Sequence, residues 1–287
     1  MLFECDPEGA RRQAGSSLST FPDNPQSTPE LAPPPPADWN AGSPVQPAWN
    51  GWDILRIVLM GFVSLAGTIM VLLILVPGSL RQRGNYLSAR PEFTILAQMV
   101  AYLFLLAYMY ILVTKERGQP AFWRAMRWNW PARAWLYVMI GVLLQAVFLM
   151  IESTRLLPFP KDVPFESLLK RPFSLMLIAF FAVTLGPLLE ELFFRGFLYP
   201  VLRYSFGVAA AVIATSLPFG LMHAAQYGYS WASVLLIFVV GVVLALVREK
   251  QDSLAASFLV HGGYNGTIVM LMFAATDGFR HLDKLNK

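Results

Sequence analysis

Ala179-Phe-Phe-Ala-Val-Thr-Leu-Gly-Pro187-Leu-Leu-Glu190-Glu191-Leu-Phe-Phe-Arg195-Gly-Phe-Leu198 is apolar enough to lie in a bilayer except for two adjacent carboxylates and one guanidinium. Ionised side chains at membrane depth are expensive, and where they occur they face other helices or a water-filled cavity and mark function. Two of the three histidines, His223 and His261, also fall in apolar segments downstream. A carboxylate, imidazole and guanidinium set within one membrane domain points to chemistry.

The rest of the chain agrees with a membrane setting. Of its 287 residues 56% are hydrophobic and only 14% charged, and the apolar residues collect into long runs. A hydrocarbon layer of about 30 Å is crossed by about 20 helical residues, so the fold class is all-α: a polytopic transmembrane helical bundle of about seven or eight helices, with a disordered N-terminal tail. The periodicity predicts spans at 54–76, 93–113, 134–151, 173–202, 208–225, 232–247 and 253–275. Beside such a bundle the chain is too short for a large soluble domain. The expected division is a Pro-rich tail over 1–50, a membrane domain over 51–278 and a short polar C-terminal tail over 279–287. The tail contains Pro33-Pro34-Pro35-Pro36 and has no apolar period, a composition unable to offset its ordering entropy. No basic n-region with an apolar core opens the sequence, so no cleavable signal peptide is expected.

The net charge of +4 suits loops that face anionic headgroups and gives no nucleic-acid surface. Lysines and arginines fall in loops on both sides, so they set no orientation. Cys5 is the single cysteine, which rules out an intramolecular disulfide. Between the second and third spans, Phe122-Trp-Arg-Ala-Met-Arg-Trp-Asn-Trp-Pro131 mixes indoles with arginines. It reads either as a short helix in the headgroup zone or as a basic loop with aromatic anchors.

On a helix, Glu191 and Arg195 are four apart with the glutamate first, the favourable order for an ion pair, whereas Glu190 is turned about 100° away. One carboxylate is then neutralised while the other is available as a general base. Gly186-Pro187, one turn upstream, removes a backbone donor and can kink the helix. His223 ends Leu217-Pro-Phe-Gly-Leu-Met-His223 and can orient water or bind metal. His261 and Asn265, again four apart, project together as paired donors of the kind an oxyanion site needs. Gly262, Gly263 and Gly266 permit close approach of another helix or a substrate. No His-Glu-x-x-His, Gly-x-Ser-x-Gly or Gly-x-Gly-Asp occurs, which removes the zincin, serine-elbow and aspartyl solutions. A small transporter would also place carboxylates and histidines at mid-membrane, but no internal repeat is found.

Glu190-Glu191-Leu-Phe-Phe-Arg195, then Phe219-Gly-Leu-Met-His223, then His261-Gly-Gly-Tyr-Asn265 closely resembles the CPBP family, the CAAX proteases and bacteriocin-processing enzymes also called Abi. The resemblance covers about 173–275. It implies an intramembrane endopeptidase in which Glu190 and His223 activate water, His261 and Asn265 stabilise the oxyanion, and Glu191 and Arg195 support the site. It implies no required cofactor; the alternative is Zn²⁺ held by Glu190, His223 and His261. The implied partners are the lipid bilayer and a membrane-associated protein or peptide substrate, prenylated in the CAAX case. The implied setting is multi-pass in the plasma membrane of a bacterium. A non-catalytic scaffold or immunity protein of the same fold is the rival reading.

Overall fold

The computed structural model describes residues 46–160 and 171–281. The expected tail lies outside them apart from its last five residues, as does most of the segment expected beyond 278. The described chain contains ten α-helices and no strand. They are α1 (Gly51–Leu75), α2 (Leu80–Ser88), α3 (Pro91–Ile111), α4 (Phe122–Ala125), α5 (Ala134–Ser153), α6 (Pro172–Val183), α7 (Leu185–Glu191), α8 (Tyr199–Met222), α9 (Trp231–Gln251) and α10 (Leu254–Ala275).

Their starts follow from local chemistry. Asn50 caps α1 by accepting from the backbone N–H of Trp52 and Asp53, while the Asp53 carboxylate accepts the Asn50 N–H at 2.9 Å. Orphan amides at the helix end are satisfied in this reciprocal way. Ser79, Ser230 and Ser253 cap α2, α9 and α10. Pro91 and Pro172 open α3 and α6, where the missing N–H costs nothing.

Six helical runs are long and apolar enough to cross a membrane, and the longest, Pro172–Met222, has 51 residues. At 1.5 Å per residue such a run is roughly 76 Å long, more than twice the hydrocarbon thickness. It is not one rod. Gly207 has φ 80° and ψ 175°, outside the helical region and open to glycine. Beyond this kink α8 runs back antiparallel to α9, with Ala211 and Val212 packed on Ala245 and Phe219 beside Gly241. The fourth and fifth expected spans are therefore the two arms of this run.

The expectation of a single fourth helix over 173–202 is corrected. Thr184 (φ −119°, ψ −87°) separates α6 from α7, and a wider π-helical stretch, Leu192–Leu198, joins α7 to α8. Pro187 has no N–H to give to the carbonyl of Val183, and its ring crowds that carbonyl. The helix yields there.

Polar ties close the bundle at its two ends. At one end Arg117 meets Asp53 at 2.6 Å and Arg56 meets Glu116 at 2.7 Å, joining the start of α1 to the end of the second span. At the same end the loop around α4 is fastened to the α9–α10 turn: the Leu254 N–H donates to the Arg127 carbonyl, Asn129 Nδ2 to the Asp252 carbonyl and Ser253 Oγ to the Asn129 carbonyl. At the other end Arg171 reaches Glu92 at 2.7 Å, and Ser174 donates to the same carboxylate. The segment 122–131 holds only one helical turn, with Trp123, Trp128 and Trp130 edge to face and Trp123 and Trp130 exposed. It is mostly a basic loop with aromatic anchors.

The tightest helix crossing is that of α5 on α10. A Cβ on Gly141 would lie 2.1 Å from the Val260 carbonyl oxygen, and one on Gly263 would lie 2.3 Å from that of Val138. Small residues let the two backbones touch, the usual basis of helix association in lipid. On the outside, α1 exposes Phe62, Val63, Met70, Ile74 and Leu75, a face suited to acyl chains.

Candidate active site

The charged motif ends α7 and enters the π-helical stretch, which places Glu191 and Arg195 inside the bundle with no exposed surface. The expected ion pair is present at 3.0 Å, from Arg195 Nη1 to Glu191 Oε1. Arg195 Nη2 donates to the Gly241 carbonyl of α9 at 2.9 Å, and the guanidinium lies 4.4 Å from the centre of the Phe219 ring. A cation so buried is tolerable because it is paired, hydrogen-bonded and placed over an aromatic face.

Glu191 does more than balance that charge. Its Oε1 also meets His261 Nδ1 at 2.9 Å, and its Oε2 accepts from Ser257 Oγ at 2.5 Å. A carboxylate can only accept, so His261 carries its hydrogen on Nδ1 and turns Nε2 the other way. Glu190 lies on that side, with Oε2 3.7 Å from Nε2. Glu190 is partly exposed and has no arginine partner among the described residues. The adjacent glutamates are thus divided by one helical step: one is consumed by the interior, the other faces an imidazole at the edge of the site.

His223 ends α8. Its Nδ1 lies 2.8 Å from the Phe219 carbonyl, which again fixes the hydrogen on Nδ1 and leaves Nε2 as an acceptor. The Phe219 ring meets both imidazoles, at 5.1 Å for His223 and 5.7 Å for His261. Asn265, one turn beyond His261, donates from Nδ2 to the Ala182 carbonyl at 2.8 Å, a carbonyl beside the helix break. Its amide keeps a second N–H.

The structure thus brings Glu190, Glu191, Arg195 and His261 into direct contact. It joins His223 to them through Phe219 and ties Asn265 to the end of α6. No three His, Cys, Asp or Glu side chains among the described residues form a group that could hold a metal ion. Nδ1 of each histidine is committed to an acceptor, which leaves the two Nε2 atoms free for water or a ligand.

Ser257, Gly241 and Tyr102 are contributors that sequence reasoning missed. Tyr102 of α3 lies within electrostatic reach of Glu190, and its ring packs on that of Phe181 at 5.2 Å. The i, i+4 spacing of Ser257 and His261 was a readable signal for the first; for a backbone carbonyl such as that of Gly241 the sequence carries none. Tyr227, in the turn after His223, has its phenol raised above its ordinary value by burial and then by the charge of Glu152, and so stays neutral.

Residues 172–267 match the family described as Type II CAAX prenyl endopeptidase Rce1-like. This segment is similar to that family. The match agrees with the resemblance carried by the three motifs, and the matched segment contains every residue just placed except Tyr102 and Glu152. It indicates a membrane-embedded protease of the CAAX type that acts on protein substrates. No curated protein and no solved structure matches the chain.

Proposed function

We propose that the protein is an intramembrane endopeptidase of the CAAX prenyl protease type that hydrolyses a peptide bond near the C-terminus of a prenylated protein, in the plasma membrane of a bacterium. The observation that carries the reading is the division of the two glutamates: Glu191 is locked to Arg195, Ser257 and His261, while Glu190 faces Nε2 of His261 at 3.7 Å and, among the described residues, forms no ion pair with a lysine or arginine.

Glu190, with Nε2 of His223 as second acceptor, takes a proton from water as the oxygen attacks the scissile carbonyl carbon. The developing oxyanion is stabilised by the free N–H of Asn265 and by the imidazole of His261. Glu190 then returns the proton to the leaving amine as the C–N bond breaks. General acid–base catalysis of this kind contributes about 10²- to 10⁴-fold, and one oxyanion donor about 10²- to 10³-fold. A prenyl chain would anchor the substrate in the hydrocarbon layer and deliver its C-terminus to the bundle.

The test uses protein purified in detergent and a farnesylated CAAX peptide, comparing wild type with Glu190→Gln, His223→Ala and Asn265→Ala and measuring bound metal on the same samples. Loss of cleavage in the first two variants, without stoichiometric zinc, supports the glutamate mechanism. Stoichiometric zinc that disappears with His223 would replace it by the zinc alternative. An inactive wild type would remove the prenylated substrate.

A further inference from the structure

The buried ion pair has an unexpected shape. Arginine and carboxylate prefer a two-pronged arrangement in which both oxygens face two guanidinium nitrogens. Here a single oxygen of Glu191 is engaged, and Arg195 Nε, fully buried, has no hydrogen-bond partner among the described residues. The second oxygen, Oε2, makes no ion pair with the guanidinium, so something holds it away.

Two side chains of α10 do so. Ser257 and His261 are four residues apart and therefore lie on one face of the helix. Ser257 takes Oε2 at 2.5 Å and His261 takes Oε1 at 2.9 Å. The Ser257 hydroxyl has one hydrogen and two acceptors within reach, the second being the Leu244 carbonyl at 3.0 Å. A bond to an ionised oxygen is the stronger of the two, which directs the hydrogen to Glu191. The terminal torsion of a glutamate is broad, so without the hydroxyl the carboxylate is free to turn and close on Arg195.

We propose that Ser257 is a positioning residue: its hydroxyl holds Oε2 of Glu191, prevents two-pronged closure on Arg195 and leaves Oε1 to fix the His261 ring with Nε2 toward Glu190. The proposal rests on the reading of this site as catalytic. It assigns Ser257 no contact with substrate.

The experiment pairs kinetics on the farnesylated CAAX peptide with ¹⁵N spectra of histidine-labelled protein, the His261 signals being assigned by their loss in His261→Gln. For Ser257→Ala the expected result is a fall in kcat of about 10- to 100-fold, the usual range for a supporting hydrogen bond behind a site residue, with KM within about twofold. His261 should change from the single Nδ1–H form to a mixture of forms, and Ser257→Thr, which keeps the hydroxyl, should restore both readouts. A Ser257→Ala protein with unchanged kcat and unchanged His261 signals overturns the proposal. Should that variant fail to fold, Ser257→Cys keeps the volume with a much weaker donor, and wild-type His261 signals in it would be equally fatal. If wild type does not cleave the peptide, the substrate assignment falls, and the nitrogen spectra alone decide the role of Ser257.

Discussion

Glu190 and Glu191 are chain neighbours with different surroundings, and substitution should separate them. Glu191 has no exposure and three side-chain partners, whereas Glu190 is partly exposed and meets one imidazole at 3.7 Å. Removing one member of a buried ion pair leaves an uncompensated charge and costs about 3–5 kcal/mol. Arg195→Ala is therefore expected to lower the thermal midpoint in detergent sharply or to prevent folding. Glu190→Gln should unfold within a few degrees of wild type and yet lose at least about 100-fold in cleavage, the lower range for a general base. Equal stability losses in both proteins would mean that Glu190 is a structural carboxylate. At this scale the sequence was legible where residues share a helix face, as Glu191 does with Arg195 and His261 does with Asn265. It was silent on Ser257 donating to Glu191, because no local spacing relates residues on different helices.

The elements that carry these residues are shaped by proline and glycine. Pro187 leaves the Val183 carbonyl without its in-helix donor; the chain breaks at Thr184, and the nearby Ala182 carbonyl accepts from Asn265 instead. Pro187→Ala restores an N–H and favours a continuous helix, in which the Ala182 carbonyl would receive the Gly186 N–H. The expected outcome is an equal or higher unfolding temperature with reduced kcat, since Asn265 loses its anchor; unaltered kcat would show the break to be irrelevant to the site. The α5–α10 crossing makes the opposite prediction. Gly263→Ala or Gly141→Ala puts a Cβ within 2.3 Å or 2.1 Å of a backbone carbonyl oxygen, so the helices must separate. Either variant should lose folded yield and cleavage together, whereas Gly262→Ala, whose Cβ would have its nearest neighbour at 3.7 Å, should be well tolerated. Trp49, just before α1, supports the π-helical stretch, its indole Nε1 donating to the Phe197 carbonyl at 3.0 Å near the end of that stretch. The sequence marked Pro187 and Gly263 as notable, but the position of the break and the importance of Gly141 depended on which carbonyls lie opposite.

Across the whole molecule, the ion pairs at the two ends divide the connecting segments into two sets. The α1–α3 connection lies with the residues after α5, through Arg171 and Glu92, and the loop around α4 lies with the α9–α10 turn, through Arg127 and Asp252. Cys5 is the only cysteine, so Cys5→Ser provides a thiol-free background. Single cysteines at Gln82 and Arg155 should react with an impermeant maleimide from one face of sealed vesicles, and one at Arg124 from the other. Labelling of all three from one face would contradict this arrangement. The sequence by itself determined that the chain is a helical membrane bundle, because hydropathy and span length are sums over local residues. It also determined which polar residues are out of place in lipid, because their cost is intrinsic. Only the tertiary structure decided that the fourth span is broken, that Glu191 belongs to Arg195, Ser257 and His261 together, and that Glu190 is the carboxylate left facing an imidazole. Those outcomes depend on backbone carbonyls and hydroxyls brought together from distant parts of the chain, and such contacts leave no periodic trace in the sequence.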